Sequence, residues 1–225
     1  MNQALTTQLF LNYFLDNILV TETNKNTTKG VDGIIGRKSS EAIDKAIEKI
    51  KNMYKEKNYT YNETINLLAF RLDDTVTDLT TDYFVVITKD RFIAVPCSTK
   101  AGKYWIQNPI THGGITGTAI LVEGQYRQTW QFITANNWFN LWLQTPYFNQ
   151  IKPVKIYRDG NKDLKVDRNV PVQEGLFGIN IHTAGLNYVV WNWSAGCIVI
   201  PRMFWLELLP LFKPFEIYDF TLFKI

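Results

Sequence analysis

The sequence predicts an α+β protein, a small N-terminal helical bundle followed by a β-rich domain. Two observations carry that reading. From Leu5 to Leu72 apolar residues recur at helical spacing, and from Tyr83 onward they alternate with a period of two. Between the two patterns, residues 72–81 (LDDTVTDLTT) are acidic and Thr-rich. The expected organisation is a helical domain over 1–72, a linker over 73–81 and a β-rich domain over 82–225.

The helices come first. Leu5, Leu9, Phe10, Tyr13, Phe14, Ile18 and Leu19 give a broad apolar face. Residues 21–30 are rich in Asn and Thr and read as a loop. Asp32-Gly33 and Gly36 mark a tight turn, after which Ser39 is the expected N-cap of a second helix, with Glu41 in its first turn. That helix continues through Ala42, Ile43, Ala46, Ile47, Ile50 and Met53. Thr60 and Glu63 have capping-box spacing, which predicts a third helix carrying Ile65, Leu68 and Leu72.

The strands follow. Tyr83, Val85 and Ile87 alternate, Lys89-Asp90 turns, and Phe92–Val95 returns as the second arm of a hairpin. Pro96 ends that arm or lies on an edge. Gly113, Gly114 and Gly117 precede a strand over 118–122, Gly124 turns the chain, and 153–157 is a further strand. Residues 202–209 read as a short helix stopped near Pro210. Alternation over 215–223 suits a last strand that closes the sheet. The aromatic middle (Trp105, Trp130, Trp138, Trp142) is expected mostly in the core.

Composition narrows the function. At 225 residues, 46% hydrophobic and 20% charged, the chain fits an ordinary globular protein. A net charge of +3 allows attraction to an anionic polymer and lacks the clustered basic face of a nucleic-acid binder. Residues 1–9 carry no basic side chain, and the apolar run 9–20 is broken by Asn12, Asp16 and Asn17. That is the pattern of neither a signal peptide nor a membrane span. Cys97 and Cys197 do not make a disulfide framework, and no zinc-ligand spacing is present.

The stretch 178–201 carries the chemistry. Phe177, Ile179 and Ile181 alternate up to His182, and Gly196-Cys197 opens a second run, Ile198-Val199-Ile200. A loop joining two such strands brings an imidazole and a thiol together, the pair a thiol nucleophile needs. Gly196 leaves room for a substrate carbonyl, and backbone N–H groups beside it suit an oxyanion. The plainer alternative is a cysteine buried as a small hydrophobe and a satisfied core histidine.

This stretch resembles the catalytic motif of the L,D-transpeptidases, a histidine, a spacer, then Ser/Thr-His-Gly-Cys. His182, Ser194, Gly196 and Cys197 fill those places. Ala195 stands where the family has its second histidine, and Val199 where an arginine or asparagine follows the cysteine. The resemblance covers residues 82–225. It implies Cys197 as nucleophile, His182 as base, a backbone carbonyl near Thr183 orienting the imidazole, and a thioester acyl-enzyme on a peptidoglycan stem peptide. Asp32, Gly33, Gly36, Ser39, Ala42 and Ile43 in turn resemble the hallmark of a peptidoglycan-binding domain. The expected partner is therefore bacterial peptidoglycan, with no nucleic acid and no membrane insertion. A wall-active protein made in the cytoplasm without an export signal fits a bacteriophage endolysin or a virion component associated with other virion proteins. The alternative is a wall-binding or structural virion protein that keeps the fold without the chemistry.

Further residues complete the expectations. Tyr126, Arg127 and Trp193 are assigned to substrate contact, Arg127 supplying the cation missing at Val199. Asp159, Asn161, Asp163 and Asp167 alternate as in the start of a calcium loop, which predicts a structural calcium. Position six of that loop is Leu164 rather than glycine, and no acid falls at position twelve. The reaction itself requires no cofactor. His112 reads as a loop residue and Cys97 as structural.

Overall fold

The computed structural model describes residues 2–16, 18–19, 31–112, 114–134, 145–185 and 188–225. In chain order its helices are α1 (Gln3–Phe14), α2 (Arg37–Glu56), α3 (Lys103–Gln107) and α4 (Arg202–Leu208). Its strands are β1 (Ile65–Arg71), β2 (Asp82–Thr88), β3 (Phe92–Cys97), β4 (Thr111–His112), β5 (Ile115–Thr116), β6 (Thr118–Leu121), β7 (Gly124–Ile133), β8 (Tyr147–Gln150), β9 (Val154–Asp159), β10 (Gln173–Gly175), β11 (Ile181–Thr183), β12 (Ile198–Ile200) and β13 (Ile217–Lys224). The chain divides into two units, residues 1–66 with 85–95, and residues 67–84 with 96–225. Among the described residues no helix is long and apolar enough to cross a membrane.

In the first unit two helices pack on a hairpin. Asn2 caps α1, its Oδ1 accepting from Leu5 N at 2.8 Å. Phe10, Leu11 and Phe14 are buried on the inner face of α1. The same face fastens the hairpin through polar groups. Thr6 Oγ1 donates to Ala94 O at 2.8 Å, and Ala94 N donates to Thr7 Oγ1 at 3.1 Å. The cap of α2 is Gly36, not Ser39. Ser39 lies inside the first turn, and its hydroxyl accepts from the buried Gln8 Nε2 at 3.0 Å. Gln8 also holds the Asp32-Gly33 turn, accepting from Gly33 N at 2.7 Å and donating to Asp32 Oδ1 at 3.0 Å. Ala42, Ala46, Ile50 and Tyr54 form the buried stripe of α2.

The expected third helix is a strand. Asn62 and Asn66 close a turn, with Thr64 N donating to Asn62 Oδ1 at 2.9 Å. Beyond it every residue from Asn66 to Arg71 is buried. An amphipathic helix leaves one face wet, whereas a run buried on both sides is a central strand. The Thr60/Glu63 spacing and the i, i+3 placement of Ile65 and Leu68 gave a false helical signal.

The second unit is built on β1 and β13, paired in parallel from Leu67↔Phe220 to Arg71↔Lys224. Its strand order is β12-β11-β8-β7-β13-β1. The core is aromatic. Phe70 stacks on Phe223 at 5.7 Å, Trp130 meets Phe220 edge-on at 5.3 Å, and Phe148 packs on Phe212 at 4.8 Å. Trp138 and Trp142 lie outside the described residues. A smaller sheet, β10-β9-β6, runs antiparallel from Thr118↔Asp159 to Leu121↔Ile156. Residues 72–81 are not a free linker. Val76 is buried, Val76 N donates to Leu164 O at 2.7 Å, and Val190 N donates to Asp78 O at 2.7 Å.

Buried charge ties this unit together. The Arg71 side chain is fully buried and pairs with Glu123 at 2.5 Å, while its other donors reach Thr99 and Leu121 O. Glu123 also accepts from Arg168, which holds Asp74 at 2.7 Å, and Lys224 pairs with the same Asp74. Lys100 sits between Asp73 and Asp82.

Candidate active site

β11 and β12 are short parallel neighbours, registered Ile181↔Ile198, His182↔Val199 and Thr183↔Ile200. The outer edge of β12 is covered by Ser98, which exchanges both backbone hydrogen bonds with Val199 at 2.9 and 3.0 Å. The strand carrying the cysteine is thus held on both sides.

Cys197 sits one residue before β12, where its sulfur replaces a ladder group. Asn180 N donates to Sγ at 3.4 Å, and the thiol donates to Gly178 O at 3.4 Å. Ile198 N continues the ladder to Asn180 O at 2.9 Å. The thiol therefore lies beside Asn180, and His182 is two residues farther along the same chain, a rise of about 7 Å in a strand. The ring of His182 is buried, and Nδ1 lies 2.7 Å from Thr183 O. A carbonyl oxygen has no proton to give, so Nδ1 carries the hydrogen and Nε2 is the basic nitrogen.

Two neighbours of the thiol fix its loop. Ser194 is buried; its Oγ donates to Cys197 O at 2.6 Å and accepts from Gly196 N at 3.2 Å. The Gly196 N–H is therefore spent inside the loop rather than offered to an oxyanion, a correction to the sequence reading. Gly196 adopts φ +132°, and a Cβ there would stand 2.4 Å from Ala119 O in β6. No other residue fits that close approach. Thr183 donates its hydroxyl to Ala184 O at 2.7 Å and serves His182 through its backbone alone.

The electrostatics are those of a neutral pair. Burial lowers the His182 pKa to about 4, against the opposing hydrogen bond to Thr183. Burial raises the Cys197 thiol to about 11, outweighing the N–H groups of Asn180 and Cys197 that favour the thiolate. The apolar cluster of Ala184, Val190 and Val199 packs against Cys197 and explains this setting. Cys197 nevertheless keeps intermediate exposure, whereas Cys97 is fully buried with its thiol pushed well up.

The other assigned residues separate from this group. Tyr126 is a core residue. Its hydroxyl donates to Val122 O at 2.6 Å and its ring meets Trp130 edge-on at 5.7 Å, so its polar end is already engaged within the fold. Arg127 is exposed on β7 and pairs with Asp219 at 3.6 Å, three strands from β12 in the sheet order. Trp193 closes a 3-10 turn over Trp191–Trp193, and its indole lies against Gly185, three residues past His182.

The calcium-like loop closes on itself. Asn161 Oδ1 accepts from Asp163 N at 3.0 Å, Asp163 Oδ1 from Lys165 N at 2.9 Å, and Asp167 Oδ1 from Asn169 N at 2.9 Å. Asn161 turns its amide hydrogens toward Asp167 at 3.4 Å. Among the described residues no three His, Cys, Asp or Glu side chains gather as a metal would require. The expected ligand set of Asp159, Asn161, Asp163 and Asp167 is therefore not assembled among the described residues.

Sequence reasoning missed Gly178, Asn180 and Ser98, which hold the thiol and its strand. Nothing in their residue types marks them; they act through backbone groups.

No family model matches the chain, and no curated protein matches it. Among solved structures it is similar to the L,D-transpeptidase (residues 123-326) from Xylanimonas cellulosilytica DSM 15894, at 12% identity and a TM-score of 0.37 over 98% of this chain and 79% of that one. A likeness this distant adds nothing to what the site's own geometry supports.

Proposed function

We propose that the protein is a cysteine-dependent enzyme that cleaves or exchanges peptide bonds in peptidoglycan stem peptides. The observation that supports this best is the thiol of Cys197 seated beside Asn180, with the Nδ1-protonated His182 two residues farther along the chain in β11. Thiol and imidazole are both neutral at pH 7, so in this reading the thiol turns from Gly178 O toward the imidazole when substrate binds, and its proton passes to Nε2 as sulfur attacks the carbonyl carbon, not before. The N–H of Asn180 faces the sulfur and lowers the cost of charge there. Collapse of the tetrahedral intermediate expels the amine, which takes the proton back from the imidazolium. The thioester that remains is resolved by water, giving hydrolysis, or by another stem's amine, giving a cross-link. For a bacteriophage wall-degrading protein, hydrolysis is the useful outcome.

The first unit offers a surface for the same polymer. A cleft of about 490 Å³ is lined by Ile35, Ser40, Ile43, Asp44, Ile47 and Arg91, among others. Ile43 belongs to the motif that resembles a peptidoglycan-binding domain.

The second reading is a wall-binding protein without catalysis, and the raised thiol favours it. Purified sacculi incubated with the wild type and with Cys197→Ala decide between them. Peptide-cleaved or newly cross-linked fragments from the wild type alone, read by mass spectrometry, support the enzyme. Sedimentation of both proteins with sacculi and no Cys197-dependent fragment supports the binding protein.

A further inference from the structure

The three-stranded sheet leaves one edge open, and that edge runs up to the thiol. β10 lies at the end of the order β10-β9-β6 and pairs with β9 as Gln173↔Ile156, Glu174↔Lys155 and Gly175↔Val154. Lys155 turns its carbonyl to the other side, where it accepts from Val122 N at 2.9 Å. Backbone groups alternate in direction along a strand. Val154 and Ile156 therefore face β10, Gly175 and Gln173 answer them, and Glu174 faces outward. Past β10 the side chain of Gln150 carries on the inner row. Its Nε2 donates to Gly175 O at 3.0 Å, and its Oε1 accepts from Phe177 N at 3.2 Å and from Ile179 N at 2.8 Å. The outer row belongs to Glu174, Leu176 and Gly178.

Among the described residues the backbone groups of Glu174 and Leu176 have no partner, while Gly178 O accepts from the Cys197 thiol at 3.4 Å. Leu176 is 64% exposed. A Cβ at Gly178 would meet nothing within 4 Å, so the edge stays open as far as the sulfur. A row of free donors and acceptors is a template for another strand. The far end of this row is the nucleophile, and that fixes the occupant as the peptide under attack.

We propose that residues 174–178 take the acyl donor as an added, extended strand, its backbone held by Glu174 and Leu176 while its scissile carbonyl reaches Cys197. The inference rests on the enzyme reading above and narrows its substrate class to donors that continue beyond a single aminoacyl group on the acyl side of the scissile bond. The acyl side is the part that stays bonded to sulfur when the amine leaves, so contacts to it serve both halves of the reaction. A donor parallel to the edge sets its last residue at Gly178. The residue two places before it then lies about 7 Å back, at Leu176. Main-chain pairing supplies the affinity of such an added strand, and its alternate side chains supply selectivity.

The test compares the chloromethyl ketones of N-acetyl-alanine and N-acetyl-trialanine on the intact chain. Each alkylates Cys197: an S–C bond forms, the C–Cl bond breaks, chloride leaves and the thiol proton passes to solvent. Rates are read by mass spectrometry on the peptide containing Cys197. The longer probe is expected to react about tenfold faster, the worth of one or two backbone hydrogen bonds. Leu176→Pro removes an outward N–H at a position where an edge strand accepts proline, and it should lower that ratio about fivefold. Leu176→Ala, which keeps the N–H, retains most of it. A wild-type ratio near unity overturns the proposal, and so does a ratio in Leu176→Pro equal to that in Leu176→Ala. Should Leu176→Pro fail to fold, N-methylation of the longer probe at each amide in turn takes its place, and a rate that no methyl group lowers overturns the proposal equally. The two readings fail separately. A Cys197-dependent product from sacculi, beside a ratio near unity, keeps the enzyme and sinks the added strand. Sacculi that yield no such product, with a ratio that still falls in Leu176→Pro, sink the peptidoglycan reading and leave a peptide site beside the thiol.

Discussion

His182 Nδ1 lies 2.7 Å from the carbonyl oxygen of Thr183, its neighbour in β11, and the ring is held neutral there by burial. Neutrality makes the fold sensitive to acid. The folded pKa is about 4, below the usual 6.5. The unfolded chain therefore takes up a proton at a pH where the folded one does not. The stability from this group is complete above pH 6.5 and is lost as pH falls toward 4, a total of about 3 kcal/mol. Thermal midpoints measured between pH 7 and 4 should fall more steeply for the wild type than for His182→Gln. Equal slopes for the two proteins would show that the ring charges freely in the fold.

The thiol leads to a second expectation, opposite to the one that an activated cysteine would set. With the Cys197 pKa raised to about 11, the thiolate is scarce near neutrality. Its alkylation by iodoacetamide should climb about tenfold per pH unit through pH 8 and 9 and level off only near 11. A plateau below pH 8 would mean that a thiolate–imidazolium pair forms before substrate arrives.

The strand–loop–strand frame of this site was legible because alternation stops at His182 and a short apolar run, Ile198-Val199-Ile200, begins after Gly196-Cys197. Its supports were not. Ser98 braces Val199 through backbone hydrogen bonds and Ala119 O crowds Gly196, contacts between distant segments that no local pattern encodes. Arg127 is the cation the sequence offers in place of the one missing at Val199, yet on β7 it is exposed and pairs with Asp219. Residues 65–71 were misread for a related reason. Apolar spacing alone does not tell a strand buried on both faces from one stripe of a helix.

Gly196→Ala tests the loop directly. The new methyl would meet Ala119 O at 2.4 Å, at a φ of +132° that L residues rarely adopt. The cost is about 3 kcal/mol or more, read as a lower midpoint in urea. A variant as stable as the wild type would show that the loop has room to move away from β6.

Glu123→Gln tests the buried ions. Glu123 is the carboxylate that pairs with Arg71, whose side chain has no exposure, and it also pairs with Arg168. Removing its charge leaves a buried guanidinium uncompensated, at about 3 kcal/mol. In a chain of this size the thermal midpoint should drop by roughly 10 °C. Lys224 and Asp74, at the far end of the network, are partly exposed, so Lys224→Ala should move the midpoint much less.

Asp159 gives the last test, and it bears on the loop that resembled a calcium site. The residue is fully buried and its Oδ1 has no hydrogen-bond partner among the described residues, while Oδ2 accepts from Asp167 N at 3.2 Å. Burial, with smaller contributions from Asp163 and Asp167, raises its pKa. A raised carboxyl pKa means that the fold prefers the protonated form. Below the unfolded pKa of 3.8 both states are protonated and nothing is lost. As pH rises through the folded pKa the carboxylate ionises against its surroundings, and stability declines to a constant lower level. Asp159→Asn removes that cost, so its thermal midpoint should exceed the wild type's at pH 7 and converge with it near pH 3.5. Calcium, added at millimolar concentration, should leave the wild-type midpoint where it was, because among the described residues no three His, Cys, Asp or Glu side chains gather as a metal would require. A calcium-dependent rise abolished by Asp159→Asn would instead make the orphan oxygen a ligand, and the loop would then have to reorganise around the ion.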